Sequence, residues 1–557
     1  METKWIIEGE IDPKWPINTR GNIGEVFPEV LTSLGYNYGV IPAERAWRMA
    51  YDDLGILKTA DFDRDEPTII GLYGGYAYLN LSYLRMMGVR APGSSAEAID
   101  VAFFGEGNPP PYVARKSDKS IKSSLKILRS VVKALGQKGL PDVAKDSFAR
   151  VAEFEAKRPS LDAPDEELLA YLDSFPAAFE PIFGNHMITT ALAAIVTGIL
   201  ADAAAAAGEP GLVTHLIGAA GDVHSAQYSQ ALYEISKTVR QTPEVNAAFG
   251  EGTEGLLDRL AGVEAARSFC EQFDAFIADH GQRGPNDWWD NTPELALSAI
   301  DSMRRTDRDL SPSTRLGDND DKRQAAIAKV RPHVKFMDKM NFDKAIKAAP
   351  SWAQGREATR DRAVRVMLPV KQVYRELVRR AAEKGGDPDP VHVALLDPRD
   401  ELREYLADPA SMMETIGERV ALFDRYRAVE PRFFIATPEE IPSLEELEAE
   451  MPEVLRAAKP GDVLTGDAGA SGPAEGSMLE PGEVLVAPLT DPSWTPLFLP
   501  AAAVVVNVGA LMSHAVIVAR ELAIPCAVSV ENATQRIETG MLLKVDGSTG
   551  TVTVLEG

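Results

Sequence analysis

The stretch GALMSHAVIVARELAIPCAV, residues 509–528, decides how the C-terminal part of the chain is read. It follows directly on a valine-rich run, AAAVVVNV at 501–508, whose short continuous apolar character predicts a strand. Gly509 predicts the turn out of that strand. Ser513 is a natural N-cap, so a helix is predicted from about His514 to Leu522, with Pro525 just past its end. That places the imidazole of His514 on the first helical turn. A phosphoryl group on this ring would face unpaired backbone N–H groups and the positive end of the helix dipole. A histidine of ordinary pKa, near 6.5, is largely neutral and nucleophilic around pH 7. A phosphorylated ring nitrogen divides one hard transfer into two easier ones.

Outward from this stretch, more valine-rich runs follow one another from Gly461 to the end. EVLVAPL (483–489), CAVSV (526–530), LLKVDG (542–547) and TVTVLE (551–556) read as short strands, with DGSTG as a hairpin turn. The expectation is a small α/β domain at 461–557. A Pro- and Glu-rich linker at 441–460 precedes it, with SLEELEAEM as a possible short helix at its start. Before the linker, helical periodicity dominates from about Lys119 to Arg380, as in SLKILRSVVKALG (124–136) and DEELLAYLDSFPAAFEPIF (165–183). Asp165 reads as an N-cap. The first hundred residues, rich in Gly, Pro and aromatics, read as loops and short helices. The passage DPDPVHVALLDPRDELREYL (387–406) reads as a strand followed by a short helix. The fold class is therefore multidomain: a mostly α-helical region at 1–440, then a C-terminal α/β domain.

Composition narrows the function. The 557 residues carry 58 Lys and Arg against 83 Asp and Glu, a formal net charge of -25. Such a field repels phosphate backbones and anionic membrane surfaces, which argues against nucleic-acid and membrane partners. Two cysteines, Cys270 and Cys526, provide no disulfide framework, and no secretory leader is read at the N-terminus. A cytoplasmic location is the expectation. Met187–Ala207 is apolar and alanine-rich, but Asp202 interrupts it, and a buried core helix is the reading.

Four C-terminal stretches together resemble the swivelling phosphohistidine domain of the phosphoenolpyruvate-utilising enzymes: GASGPAEG (469–476), GEVLVAPLTDPSWTPLF (482–498), GALMSHAVIVARELAIPCAV (509–528) and MLLKVDGSTGTVTV (541–554). They occur in the family's order and spacing. The resemblance implies that His514 carries a phosphoryl group, with Ser513 and Thr490 beside it. Gly509-Ala510 stands where the family has a glycine pair, and Val516 where it commonly has alanine.

Three further patches resemble the substrate region of the rifamycin phosphotransferase group. They are TRGNIGEVFPEVLTSLG (19–35), HGQRGPNDWWDNTPEL (280–295) and GREATRDR (355–362). In the second, Gln282 replaces a histidine and Arg283 is kept; in the third, Arg360 takes a lysine position. On a helix Arg356 and Arg360 share a face, with Glu357 round the turn. Two guanidiniums can neutralise a transferring phosphoryl group, and a carboxylate can take a hydroxyl proton. A solvated charged face is the competing reading. Tyr36, Tyr38, Tyr73, Tyr76 and Tyr78 either line a pocket for a flat ligand or belong to the core. No ATP-grasp pattern and no pyruvate-binding barrel is read in the chain. The arrangement resembles split dikinases of the phenylphosphate synthase type. That implies a separate ATP-grasp subunit holding ATP and Mg²⁺, and a small aromatic hydroxyl as the acceptor; the alternatives are a rifamycin-type antibiotic phosphotransferase subunit, or a non-catalytic ligand-binding relative.

Overall fold

The computed structural model describes the chain apart from residues 1–8, 28, 59–60, 63–66, 91–94, 104–109, 116–117, 119–120, 210–211, 218–223, 281–292, 306–311, 430, 451–462, 466–478, 480–481, 489, 491–494, 499–500, 508–513, 522–523, 531, 548 and 557. Two compact units emerge. The first comprises Met1–Ile199 and Asp343–Glu453; the second comprises Leu200–Pro285, Asp290–Phe342 and Val454–Gly557. Residues 200–342, which the sequence groups with the N-terminal helices, cluster with the C-terminal residues.

The first unit is helical around one small sheet. That sheet has four antiparallel strands in the order β2-β3-β1-β4: β1 is Asn18–Thr19, β2 Ile70–Tyr73, β3 Tyr76–Asn80 and β4 Phe434–Ile435. Here the expectation of loops and short helices is corrected. Gly74 and Gly75 have φ of 56° and 77°, and they close a two-residue hairpin between Tyr73 and Tyr76. Positive φ at both positions is what a tight hairpin demands of glycine. The sheet is buried on both faces, so its strands show no polar alternation to read.

Around it lie the helices Ile41–Leu54, Asp142–Ala156, Asp165–Ala206, Lys339–Arg365 and Leu368–Glu383. Val370, Val373, Tyr374 and Leu377 are fully buried in a core with Leu168, Leu172 and Phe175. Each such side chain contributes roughly 1.5–3 kcal/mol relative to exposure. Asp165 is the first helical residue rather than the cap, and its carboxylate pairs with Arg380 at 2.6 Å. The expected strand in DPDPVHV is likewise corrected. Asp389 accepts a hydrogen bond from the Val391 amide, Pro390 opens the turn, and Pro390–Val393 is helical. Aspartate before proline caps a helix more readily than it starts a strand. The short helix read in SLEELEAEM is present at Leu444–Glu450. The Asp165–Ala206 helix, 42 residues, is long and apolar enough to cross a membrane by length and composition. Its Leu192, Val196, Leu200 and Ala204 are nonetheless almost fully buried.

The second unit holds two sheets and a helical cluster. The parallel sheet orders β6 (Val484–Ala487), β7 (Ala503–Val506) and β8 (Cys526–Ala527). The antiparallel sheet orders β5 (Val463–Thr465), β10 (Thr551–Glu556) and β9 (Leu542–Asp546), with Asp546 opposite Thr551 across the expected hairpin. All five expected C-terminal strands are present. The helices His224–Gln241, Arg267–His280 and Pro293–Arg305 form an aromatic core with Phe249, Phe269 and Phe273. The first and third of them also touch the short helix Thr495–Phe498, which explains why residues 200–342 cluster with the C-terminal sheets. The fold is thus multidomain, helical first and α/β at the C-terminus.

Candidate functional site

His514 is the first residue of the His514–Glu521 helix, which lies between the parallel strands β7 and β8. The helix is anchored by its apolar face. Ala515, Val518 and Ala519 are buried with Val504, Val506 and Val528. One face of the helix is committed to the sheet, so its starting point is held firmly by packing. Ser513 and Arg283 lie outside the described residues. Thr490 is 2% exposed, three residues past the end of β6.

In the first unit the described residues converge elsewhere, on the facing helices Asp165–Ala206 and Lys339–Arg365. Gly355 lies where the second of these helices also meets Pro141, at the start of the Asp142–Ala156 helix. A Cβ there would meet Pro141 at 2.8 Å and the Thr189 methyl at 3.4 Å. One turn further on, Thr359 Oγ1 lies 3.2 Å from His186 Nδ1. Arg356 and Arg360 flank this contact. Burial and the charges of Arg356 and Arg360, in that order, push His186 down to about 3. The ring is therefore neutral at physiological pH. The two arginines predicted to share a face do so, and that face meets a histidine from the opposite helix. Arg356 makes no ion pair among the described residues, and Glu357 follows it, half-buried.

His186 and Thr359 were not foreseen as site residues. A lone histidine in an alanine-rich helix gives no motif. The available signal was the spacing of His186 and Thr190, which puts two polar groups on one face of an otherwise apolar segment.

The tyrosine cluster belongs mostly to the core. Tyr73, Tyr76 and Tyr78 are 5%, 4% and 1% exposed. The Tyr76 hydroxyl donates to the Tyr426 and Val429 carbonyls, and that of Tyr78 to the Arg432 carbonyl. Arg20 lies over both rings and donates to the Phe27 and Ala77 carbonyls, so the first resembling patch, 19–35, is built into this core. Tyr38 differs. It donates to Asp173 at 2.7 Å at the edge of a cavity of about 360 Å³, lined also by Asn37, Arg399 and Arg403. Burial, more than the Asp173 carboxylate, raises its phenol well above the ordinary tyrosine range.

Of the other histidines, His392 is held by Asp387 at 3.0 Å and His280 packs on Phe276. His215 lies in the last turn of the helix Val213–Ile217, and His333 is exposed.

Comparison with known proteins is consistent with this geometry. Residues 479–550 match the mobile domain of PEP-utilising enzymes, and residues 183–357 match the fourth domain of rifampicin phosphotransferase. The second match runs from the turn before His186 to just past Arg356. The chain thus carries one segment similar to the mobile domain of PEP-utilising enzymes and one similar to a domain of rifampicin phosphotransferase. It is 26% identical to the prodigiosin synthesizing transferase PigC of Serratia marcescens, over 97% of this chain and 63% of that protein. It is 27% identical to a rifampicin phosphotransferase of a Streptomyces species, over 62% of this chain and 42% of that protein. It is 33% identical to the uncharacterized phosphotransferase YvkC of Bacillus subtilis, over 28% of this chain and 20% of that protein. The chain thus spans less than two thirds of each of these relatives.

Proposed function

We propose that this chain is the phosphohistidine-carrying part of an ATP-dependent dikinase, with ATP and Mg²⁺ held by a separate ATP-grasp subunit. His514 takes a phosphoryl group from the nucleotide and passes it to a hydroxyl bound by the first unit. The balance is ATP, ArOH and water giving AMP, aryl phosphate and orthophosphate, with a small phenol or hydroxyacetophenone as acceptor. The observation that carries this reading is His514 at the first position of a packed helix, inside a segment that matches the mobile domain. The second support is the pairing of Arg356 and Arg360 on one helix face. Two guanidiniums stabilise a transferring phosphoryl group through forked, charge-assisted hydrogen bonds. Ser513, Thr490 and Arg283 are assigned supporting contacts to the phosphoryl group, and Glu357 a contact to the bound acceptor.

A second reading keeps the carrier and changes the acceptor. The match of residues 183–357 to the fourth domain of rifampicin phosphotransferase supports a larger polyketide hydroxyl as the alternative to a plain phenol. Phosphorus-31 spectra of this protein with an ATP-grasp partner, Mg²⁺, ATP and each candidate alcohol separate the two. An aryl phosphate rising together with AMP and orthophosphate from phenol supports the first reading. A phosphate ester from a large hydroxylated polyketide alone supports the second. ATP consumed to ADP, with no AMP, contradicts both.

A further inference from the structure

We propose that His186 is the proton acceptor for the attacking hydroxyl, through Nε2. The inference deepens the dikinase reading and rests on it. Its basis is a hydrogen-bond count. Thr359 has one hydroxyl proton, and it is shared between the Gly355 carbonyl at 2.9 Å and the Arg356 carbonyl at 3.1 Å. With that proton on the helix carbonyls the hydroxyl accepts toward His186, which assigns the proton of the 3.2 Å contact to Nδ1. A neutral ring with Nδ1–H has its lone pair on Nε2. That nitrogen has no hydrogen-bond partner among the described residues. One helical turn on, Thr190 Oγ1 is buried with no partner either. Two polar groups on one face of the Asp165–Ala206 helix are thus left for something not supplied by the described protein atoms. An acceptor hydroxyl, which must donate one hydrogen bond, satisfies the Nε2 lone pair.

The charges around the ring fit the timing of such a step. Arg356 and Arg360 face it from the opposite helix; on the Asp142–Ala156 helix, Asp146 accepts from Asn185, the residue before His186, and is paired with Arg150. With no anion present, burial first and then the two guanidiniums keep the ring weakly basic. A phosphoryl group placed between them offsets their charge and raises the proton affinity of the ring. The base is strengthened when the donor arrives. In the step itself the acceptor oxygen bonds to phosphorus as the P–N bond to His514 breaks. The bonding pair returns to the His514 ring nitrogen, and the hydroxyl proton moves to His186 Nε2.

Two measurements on the full chain test this. The first is nitrogen-15 NMR of protein labelled at histidine, with His186 assigned by the signals missing in His186→Gln. The expected state at pH 7 is Nδ1–H, with a protonation midpoint far below the ordinary histidine value. Phenyl phosphate or inorganic phosphate should raise that midpoint. An Nε2–H tautomer, or an ordinary midpoint that ignores both phosphates, overturns the inference. In the second measurement His186→Gln acquires label on His514 at the parental rate, and transfer to the acceptor slows about 100-fold or more, the usual scale for a lost general base. Label on His514 with unchanged transfer removes His186 and leaves the carrier reading standing. Absence of label in the parent protein removes the carrier reading, while the NMR result still decides the tautomer.

Discussion

His186 ties stability to pH in a direction that can be stated in advance. Its folded-state pKa is lowered to about 3, while the unfolded chain restores the ordinary value near 6.5. Between those values the unfolded chain binds more protons, so stability falls as pH drops through that window. Chemical denaturation of the parent and His186→Gln from pH 7 to 4 should show a shallower loss in the variant. Equal slopes would show that the ring titrates normally. Arg356 gives a prediction about activity. Arg356→Ala should leave labelling of His514 intact and slow transfer to the acceptor by about 100- to 1,000-fold, the range for losing one preorganised charge stabiliser. Time courses of label transfer read this directly. Glu44 belongs to the scaffold. Its carboxylate, 2% exposed, accepts from the backbone amides of Thr68, Ile69 and Ile70 at 3.0 Å and from Arg48 at 2.7 Å. Glu44→Ala orphans those donors and should cost about 3 kcal/mol in urea unfolding, with no change in the chemistry of His514.

Among elements, the contact between the Asp165–Ala206 and Lys339–Arg365 helices matters most. Gly355 sits at it, and an added Cβ would strike the ring of Pro141, just before the Asp142–Ala156 helix, at 2.8 Å and reach the Thr189 methyl at 3.4 Å. Gly355→Ala should push the helices apart, destabilise the first unit by about 1–3 kcal/mol, and slow transfer more than it slows labelling of His514. Parallel loss of both rates would instead indicate general unfolding. The same elements show what the chain discloses before it folds. The C-terminal strands were legible because short valine-rich runs between turn residues have few other uses. The pairing of Arg356 with Arg360 was legible from helical spacing. The hairpin at 70–80 was not, since both faces of its strands are buried and the aromatic runs show no alternation. DPDPVHV misled because valines suggest a strand, while the aspartate that caps its helical turn acts through one side-chain hydrogen bond. His186 was illegible as a site residue, because its meaning comes from a helix about 170 residues away.

The whole molecule carries a net charge of -25, yet its candidate phosphoryl site rests on arginines. Local positive charge within an acidic surface suits a group handed over covalently on a histidine, and it discourages free polyanions from occupying the site. The carrier function also sets a requirement on sequence of events. Under the proposed function His514 is charged from ATP before the acceptor reacts, so the two half-reactions are separable in time. The most direct test mixes this protein with an active ATP-grasp partner, Mg²⁺ and ATP labelled in the β-phosphate, with no acceptor present. Acid-labile, base-stable label should appear on this chain, depend on the partner, and be absent in His514→Ala. Equal labelling of His514→Ala, or no label with a partner shown to turn over ATP, would contradict the phosphocarrier account.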